Sequence, residues 1–119
     1  MKHKSFNEND LLREFKVEEE ILLDMIALFE DGLQGLILPI KEAIHKRDAS
    51  KLKLNAHTIK GVLSNFYAEE VKNLAQELEK RGEDSAFEGA LIILNEMENK
   101  IENLLSDLNN LKFELINKA

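Results

Sequence analysis

Leu52-Lys53-Leu54-Asn55-Ala56-His57-Thr58-Ile59-Lys60-Gly61-Val62-Leu63-Ser64-Asn65-Phe66 is the stretch from which the rest of the chain is read. Its apolar residues Leu52, Ala56, Ile59, Leu63 and Phe66 recur at spacings of four, three, four and three. At roughly 100° per residue they fall within about 80° of arc, a continuous core-facing stripe on a helix. His57 lies roughly 140° from the centre of that stripe, Lys60 roughly 80°, Ser64 roughly 120° and Gly61 roughly 180°. An imidazole thus stands on the wet side of the helix, with an ammonium one turn further on. Glycine inside a helix costs about 1 kcal/mol relative to alanine, so Gly61 suggests that space beside His57 matters. The competing reading of the same periodicity is a solvated face carrying an incidental histidine.

The same alternation of threes and fours extends in both directions. One proline and five glycines in 119 residues leave little to interrupt helix. A short first helix is expected from about Glu8 to Phe15, with Leu11, Leu12 and Phe15 as its apolar side. A second begins near Val17 and reaches about Lys46 on the stripe Leu22, Ile26, Phe29, Leu33, Leu36, Ile40, Ile44, with a kink or loosened turn expected at Pro39. Asp48 is placed to cap the third helix, which should end near Phe66. The fourth is expected from about Glu69 to Arg81, burying Val71, Leu74, Ala75 and Leu78 and closing at Gly82. The fifth should start around Ser85 and run to about Asn117 on Ala90, Leu94, Met97, Ile101, Leu104, Leu108, Leu111 and Leu115.

Short connections force neighbouring helices to run antiparallel. The expected fold is therefore all-α, an up-and-down antiparallel four-helix bundle with a short additional N-terminal helix. The second and fifth helices should outreach the shorter pair as a hairpin. Residues 1–119 read as one domain, with 1–6 a frayed tail.

Composition narrows the function. The chain has 23 Asp and Glu against 16 Lys and Arg, a net charge of −7. That balance opposes a nucleic-acid or anionic-membrane role, since both need a basic face. No apolar run approaches the roughly 20 residues that span a bilayer, and the start Met1-Lys2-His3-Lys4 leads into polar residues. A cytoplasmic protein is expected. Cysteine is absent, which removes disulfide and thiol chemistry. Three dispersed histidines without HxxxH spacing make a zinc site a poor reading. His3 falls in the tail, and His45, in the last turn of the second helix, complements the helix dipole. Without a glycine-rich phosphate loop, no ATP-dependent kinase activity is expected of the chain itself.

Ala56-His57-Thr58-Ile59-Lys60-Gly61 resembles the Ala-His-x-Leu/Ile-Lys-Gly signature of histidine-containing phosphotransfer (HPt) domains. The likeness covers almost the whole chain. Leu28-Phe29 is similar to the family's leucine-phenylalanine segment, Ala43-Ile44-His45-Lys46-Arg47-Asp48 to its charged turn, and Leu78-Glu79 to its leucine-glutamate or leucine-glutamine pair. The resemblance implies a four-helix bundle that shuttles a phosphoryl group between receiver-domain aspartates. It makes His57 the phosphoacceptor, gives Lys60 the stabilisation of phosphoryl charge, and gives Glu79 the orientation of the ring through its far nitrogen.

The residue chemistry suits those roles. A neutral imidazole presents one free lone pair, and a phosphoryl group in transit spreads negative charge that a nearby cation can meet. Partner docking is expected around Gly61, Ser64 and Tyr67, with Leu12 and Phe15 from the first helix. Three departures stand out: Tyr67 occupies a position where the family commonly has glycine, and Val62 and Leu63 are bulkier than usual after the Lys-Gly pair.

The implied partners are response-regulator receiver domains and an upstream hybrid sensor histidine kinase. Magnesium is expected on the receiver and no cofactor on this chain, which is expected to be a monomer. The alternatives are a non-catalytic helical adaptor that binds receivers, or the phosphorylated domain of a chemotaxis-type histidine kinase. A free-standing carrier is expected, unless the chain is a piece of a larger protein, because no dimerisation or kinase segment follows the bundle in this sequence.

Overall fold

A computed structural model describes residues 5–14 and 18–117. Within them the chain forms five helices and no strand: α1 (Glu8–Glu14), α2 (Glu19–Lys46), α3 (Ala49–Ser64), α4 (Glu69–Glu83) and α5 (Ala90–Asn117). His3, Phe15 and Val17, named above, lie outside the described residues. The molecule measures 50 × 24 × 19 Å. At 1.5 Å per residue α2 and α5 are each about 42 Å long and α3 and α4 about half that. The four longer helices pack in a ring, α2 on α3, α3 on α4, α4 on α5 and α5 on α2, with the α3–α4 contact the most extensive.

The core is the set of stripes meeting. Leu52, Ala56, Ile59 and Leu63 of α3 are fully buried, as are Ala90, Leu94, Met97, Leu104 and Leu108 of α5. On α2 the buried residue in the turn before Pro39 is Ile37, while the expected Leu36 is half-buried against the core. On a helical wheel the two lie about equally far from the middle of the stripe. Ile37 falls on the flank that carries Glu30, which accepts from Asn109 Nδ2 of α5 at 3.2 Å. The α5-facing flank is thus the better covered. The helix runs unbroken through Pro39. Proline offers no N–H, so the Gly35 carbonyl four residues back loses its helical donor.

The long pair does outreach the short pair, and the N-terminal segment covers what it leaves open. Ser5 and Phe6, expected in the tail, are fixed: Ser5 Oγ donates to Asp107 Oδ2 at 2.6 Å, and Phe6 is buried. The Asn7 backbone N–H donates to the Tyr67 carbonyl at 3.0 Å, seating α1 at the far end of α3, with Leu11 fully buried.

Three turns repeat one device without glycine. Arg47, Tyr67 and Ser85 take φ of 54°, 57° and 52°. Each ends a helix with paired backbone bonds: Arg47 N to Ile44 O and Asp48 N to Ala43 O, Tyr67 N to Ser64 O and Ala68 N to Leu63 O, Ser85 N to Gly82 O and Ala86 N to Arg81 O. This is the Schellman closure, which usually recruits glycine at the left-handed residue. Asp48 then caps α3 as expected, accepting from Lys51 N at 3.1 Å.

The fourth helix corrects the expectation at Gly82, which is not its left-handed end. Gly82 lies inside α4, buried, and a Cβ there would stand 2.5 Å from Lys53 N and 2.9 Å from Ala49 O. Its lack of a side chain is what lets α4 close on α3. The α4 closure at Ser85 also delays α5, which begins at Ala90 instead of Ser85.

Candidate functional site

The four fully buried residues of α3 anchor a helix whose opposite face carries His57, with its side chain 64% exposed. Across the close α3–α4 contact stands Glu79, one residue past the fully buried Leu78 and 17% exposed in its side chain. The carboxylate spans two partners. Oε2 lies 2.9 Å from His57 Nδ1, and Oε1 lies 2.7 Å from Lys60 Nζ. A carboxylate only accepts, so with a neutral ring the proton sits on Nδ1 and Nε2 keeps its lone pair. Burial pushes the Glu79 carboxyl up, but the Lys60 ammonium and then His57 outweigh it and hold the group below its ordinary value. Oε1 is itself buried and has no aligned hydrogen-bond donor; the Lys60 ammonium meets it as an ion pair.

The arrangement is a nucleophile with its tautomer set from behind and a cation one turn along the same helix. It can accept an electrophile at Nε2 while Glu79 offsets positive charge developing on the ring. Beside Lys60 and Glu79 runs a shallow polar groove lined by Asn73, Gln76, Glu77, Lys80 and Glu83.

Of the residues singled out by sequence, the structure brings together His57, Lys60 and Glu79. Gly61 is exposed on the same helix, and a Cβ added to it would meet nothing within 4 Å. The fold therefore does not require glycine there. Ser64 is exposed and its hydroxyl donates back to the Lys60 carbonyl at 2.9 Å. Tyr67 lies ten residues on, in the turn past the end of α3, half-buried against the core beside the start of α1. Leu12, on α1, is likewise half-buried against the core. Phe15 is outside the described residues. Of the bulky departures, Leu63 belongs to the core and Val62 packs against it.

Sequence reasoning missed Leu54 and Leu38. Leu54, one turn before His57, is 63% exposed, and Leu38 of α2 is 55% exposed. With Pro39, Asn55 and Lys51 they line a shallow depression between α2 and α3. The signal was available, since Leu54 falls roughly 160° from the centre of the α3 stripe, a leucine on the polar face. Gly32 and Gly35, on the α2 flank that faces α3, also have open space where a side chain would stand. The surface flanking His57 on the α2 side is therefore low, with two exposed leucines set beside the charged Glu42, Lys46, Asp48 and Lys51.

Comparison with known proteins agrees with this architecture. A search of curated proteins finds no match. The crystal structure of histidine-containing phosphotransfer protein B (HptB) from Pseudomonas aeruginosa PAO1 superposes with a TM-score of 0.77, covering 89% of this chain and 92% of that one. At 23% identity that likeness concerns the fold. The family model of the Hpt domain matches residues 24–111, which take in α3, α4 and all three residues of the His57 cluster. By that match over most of its length, the chain belongs to the Hpt domain family, the histidine phosphotransfer proteins of two-component phosphorelays.

Proposed function

We propose that His57 is the phosphoacceptor and that its Nε2 takes the phosphoryl group from an aspartyl phosphate on a receiver domain. The observation that carries this reading is the Glu79 carboxylate on Nδ1 at 2.9 Å, which leaves Nε2 as the free nitrogen. In the step, the O–P bond to the receiver aspartate breaks as the Nε2–P bond forms. The aspartate leaves as a carboxylate, and the ring proton stays on Nδ1 against Glu79. Lys60 offers its charge to the phosphoryl oxygens, and the reverse step delivers the group to a second receiver.

HPt domains work with response regulators and kinases. For this chain the finer reading is an upstream hybrid sensor kinase, a downstream response regulator, and magnesium held by the receiver's carboxylates. The receiver docks over the low surface of Leu38, Leu54 and Gly61. We place the protein in the cytoplasm as a monomer; among the described residues no helix is long and apolar enough to cross a membrane.

The test is incubation of the native chain and of His57→Gln with phosphorylated receivers, following acid-labile, base-stable label. The native chain should take label and the variant none, with its helical circular dichroism and melting unchanged within about 0.5 kcal/mol, as for an exposed residue. Label retained in His57→Gln would assign acceptance elsewhere.

A further inference from the structure

Lys60 has two claims on its charge. In the unphosphorylated chain it is held 2.7 Å from Glu79 Oε1, an oxygen that is buried and has no other donor. Its side chain is only 25% exposed, whereas that of His57 is 64% exposed. Once a phosphoryl group stands on Nε2, a second anion lies one helical turn away, where side chains three residues apart meet. One ammonium then faces two anions. If Lys60 turns to the phosphoryl oxygens, Oε1 is left buried and unpaired, which is costly for a carboxylate. If it stays with Glu79, the phosphoryl group forgoes the cation one turn after His57 on the same helix.

From this geometry, and resting on the reading of His57 as phosphoacceptor, we infer that Glu79 competes with the phosphoryl group for Lys60 and so sets the phosphotransfer equilibrium. Glu79 acts as a positioning residue with two opposed effects. Through Oε2 it favours phospho-His57 by balancing the positive charge of the ring. Through Oε1 it withholds part of Lys60, so the phosphorylated state gains less from that lysine than its position allows. A carrier must give up what it accepts, and an over-stabilised phosphohistidine would not pass the group on. The opposite arrangement, with Glu79 presenting Lys60 to the phosphoryl group, differs in the sign of a measurable coupling.

The experiment measures the equilibrium constant between a phosphorylated receiver and phospho-His57 in four chains: native, Lys60→Met, Glu79→Gln and the double variant. The glutamine keeps the length and an acceptor for Nδ1 but gives up the charge. Competition requires Lys60→Met to lower phospho-His57 in the native background and to lower it about tenfold further when residue 79 is neutral, the scale of one charge-assisted hydrogen bond. The half-life of isolated phospho-His57 should follow the same order. An equal or smaller effect of Lys60→Met in the Glu79→Gln background overturns the inference and favours presentation. Should Glu79→Gln lose its helical signal, Glu79→Leu supplies the neutral background and is read by the same sign. A native chain that takes no label defeats the phosphoacceptor reading itself, whereas labelling without the coupling defeats only the competition.

Discussion

Replacing Gly82 by alanine tests whether the α3–α4 contact builds the site. The new Cβ would stand 2.5 Å from Lys53 N, 2.8 Å from Lys53 Cα and 2.9 Å from Ala49 O, all backbone atoms of α3. Carbon contacts settle near 3.5–4.0 Å. No rotamer can move out of the way, so α4 must lift from α3 by roughly 1 Å. Helix propensity would return up to about 1 kcal/mol, but forced overpacking costs typically 1–3 kcal/mol and here falls at the upper end or beyond. A net loss of about 2 kcal/mol is expected, a fall of about 8–10 °C in Tm for a domain of this size. Gly82 lies one turn from Glu79 and Lys53 one turn from His57, so the same displacement should lengthen the 2.9 Å His57–Glu79 contact and slow phosphotransfer. The control is Gly61→Ala, where the Cβ meets nothing within 4 Å. It should gain up to about 1 kcal/mol while hindering a partner that approaches His57. Thermal circular dichroism on both variants decides the matter: a Gly82→Ala chain melting at or above the native temperature would refute the close-contact argument.

Three further outcomes are expected. Tyr67→Gly should be more stable than Tyr67→Ala by about 1 kcal/mol in chemical denaturation, because both lose the ring but only alanine retains the left-handed penalty at φ 57°; equal stabilities would remove strain from the account of that turn. The Glu79 carboxyl is held below its usual value of 4.5, so its contribution to stability is complete above that pH and is lost as pH falls through the folded-state value. The stability difference between the native chain and Glu79→Gln, followed by urea midpoints, should accordingly shrink below pH 4.5, and a difference constant down to pH 3 would speak against it. Leu54→Ser should weaken receiver binding several-fold with little change in Tm, since the side chain is exposed and the depression it lines lies one turn from His57; unchanged affinity by calorimetry would place docking elsewhere.

The parts of this fold that sequence made legible are those where one helix alone supplies the information. The α3 and α5 stripes, the Asp48 cap and the outward phase of His57 follow from spacing, and the structure repeats them. Legibility failed where a second element decides. Leu36 and Ile37 lie nearly symmetrically about the α2 stripe, and only the placement of α5 separates them. Gly82 looked like a helix end because glycine is the usual left-handed residue, yet here the left-handed residues that close α2, α3 and α4 are Arg47, Tyr67 and Ser85, and Gly82 serves a helix crossing. The same fact accounts for Tyr67. Its position requires positive φ, which glycine supplies at little cost, and the tyrosine occupies it with its ring half-buried. At the site, the phase of Glu79 put it at the edge of its stripe, but its grip on both His57 and Lys60 needed the distance across α3 and α4.

That division explains why the site is built on one side only. Toward α4, His57 is organised by a rigid contact: a glycine crossing, a buried carboxylate and a lysine from its own helix. Toward α2 the chain holds back, with Gly32, Gly35 and Gly61 open to solvent and Leu38 and Leu54 uncovered. An unmade glycine-to-alanine change in an open helix forgoes about 1 kcal/mol each time, and nothing within the fold returns it. On the proposed reading the return comes from outside. A receiver must bring an aspartate and its magnesium within bonding distance of Nε2, and its backbone can approach only where side chains are absent. If so, Gly32→Leu and Gly35→Leu should each raise Tm while slowing transfer from a phosphorylated receiver, with the larger kinetic loss at Gly35, whose level on α2 is nearer that of His57. Stability and transfer rate rising together in both variants would mean that the open flank is not where the partner sits.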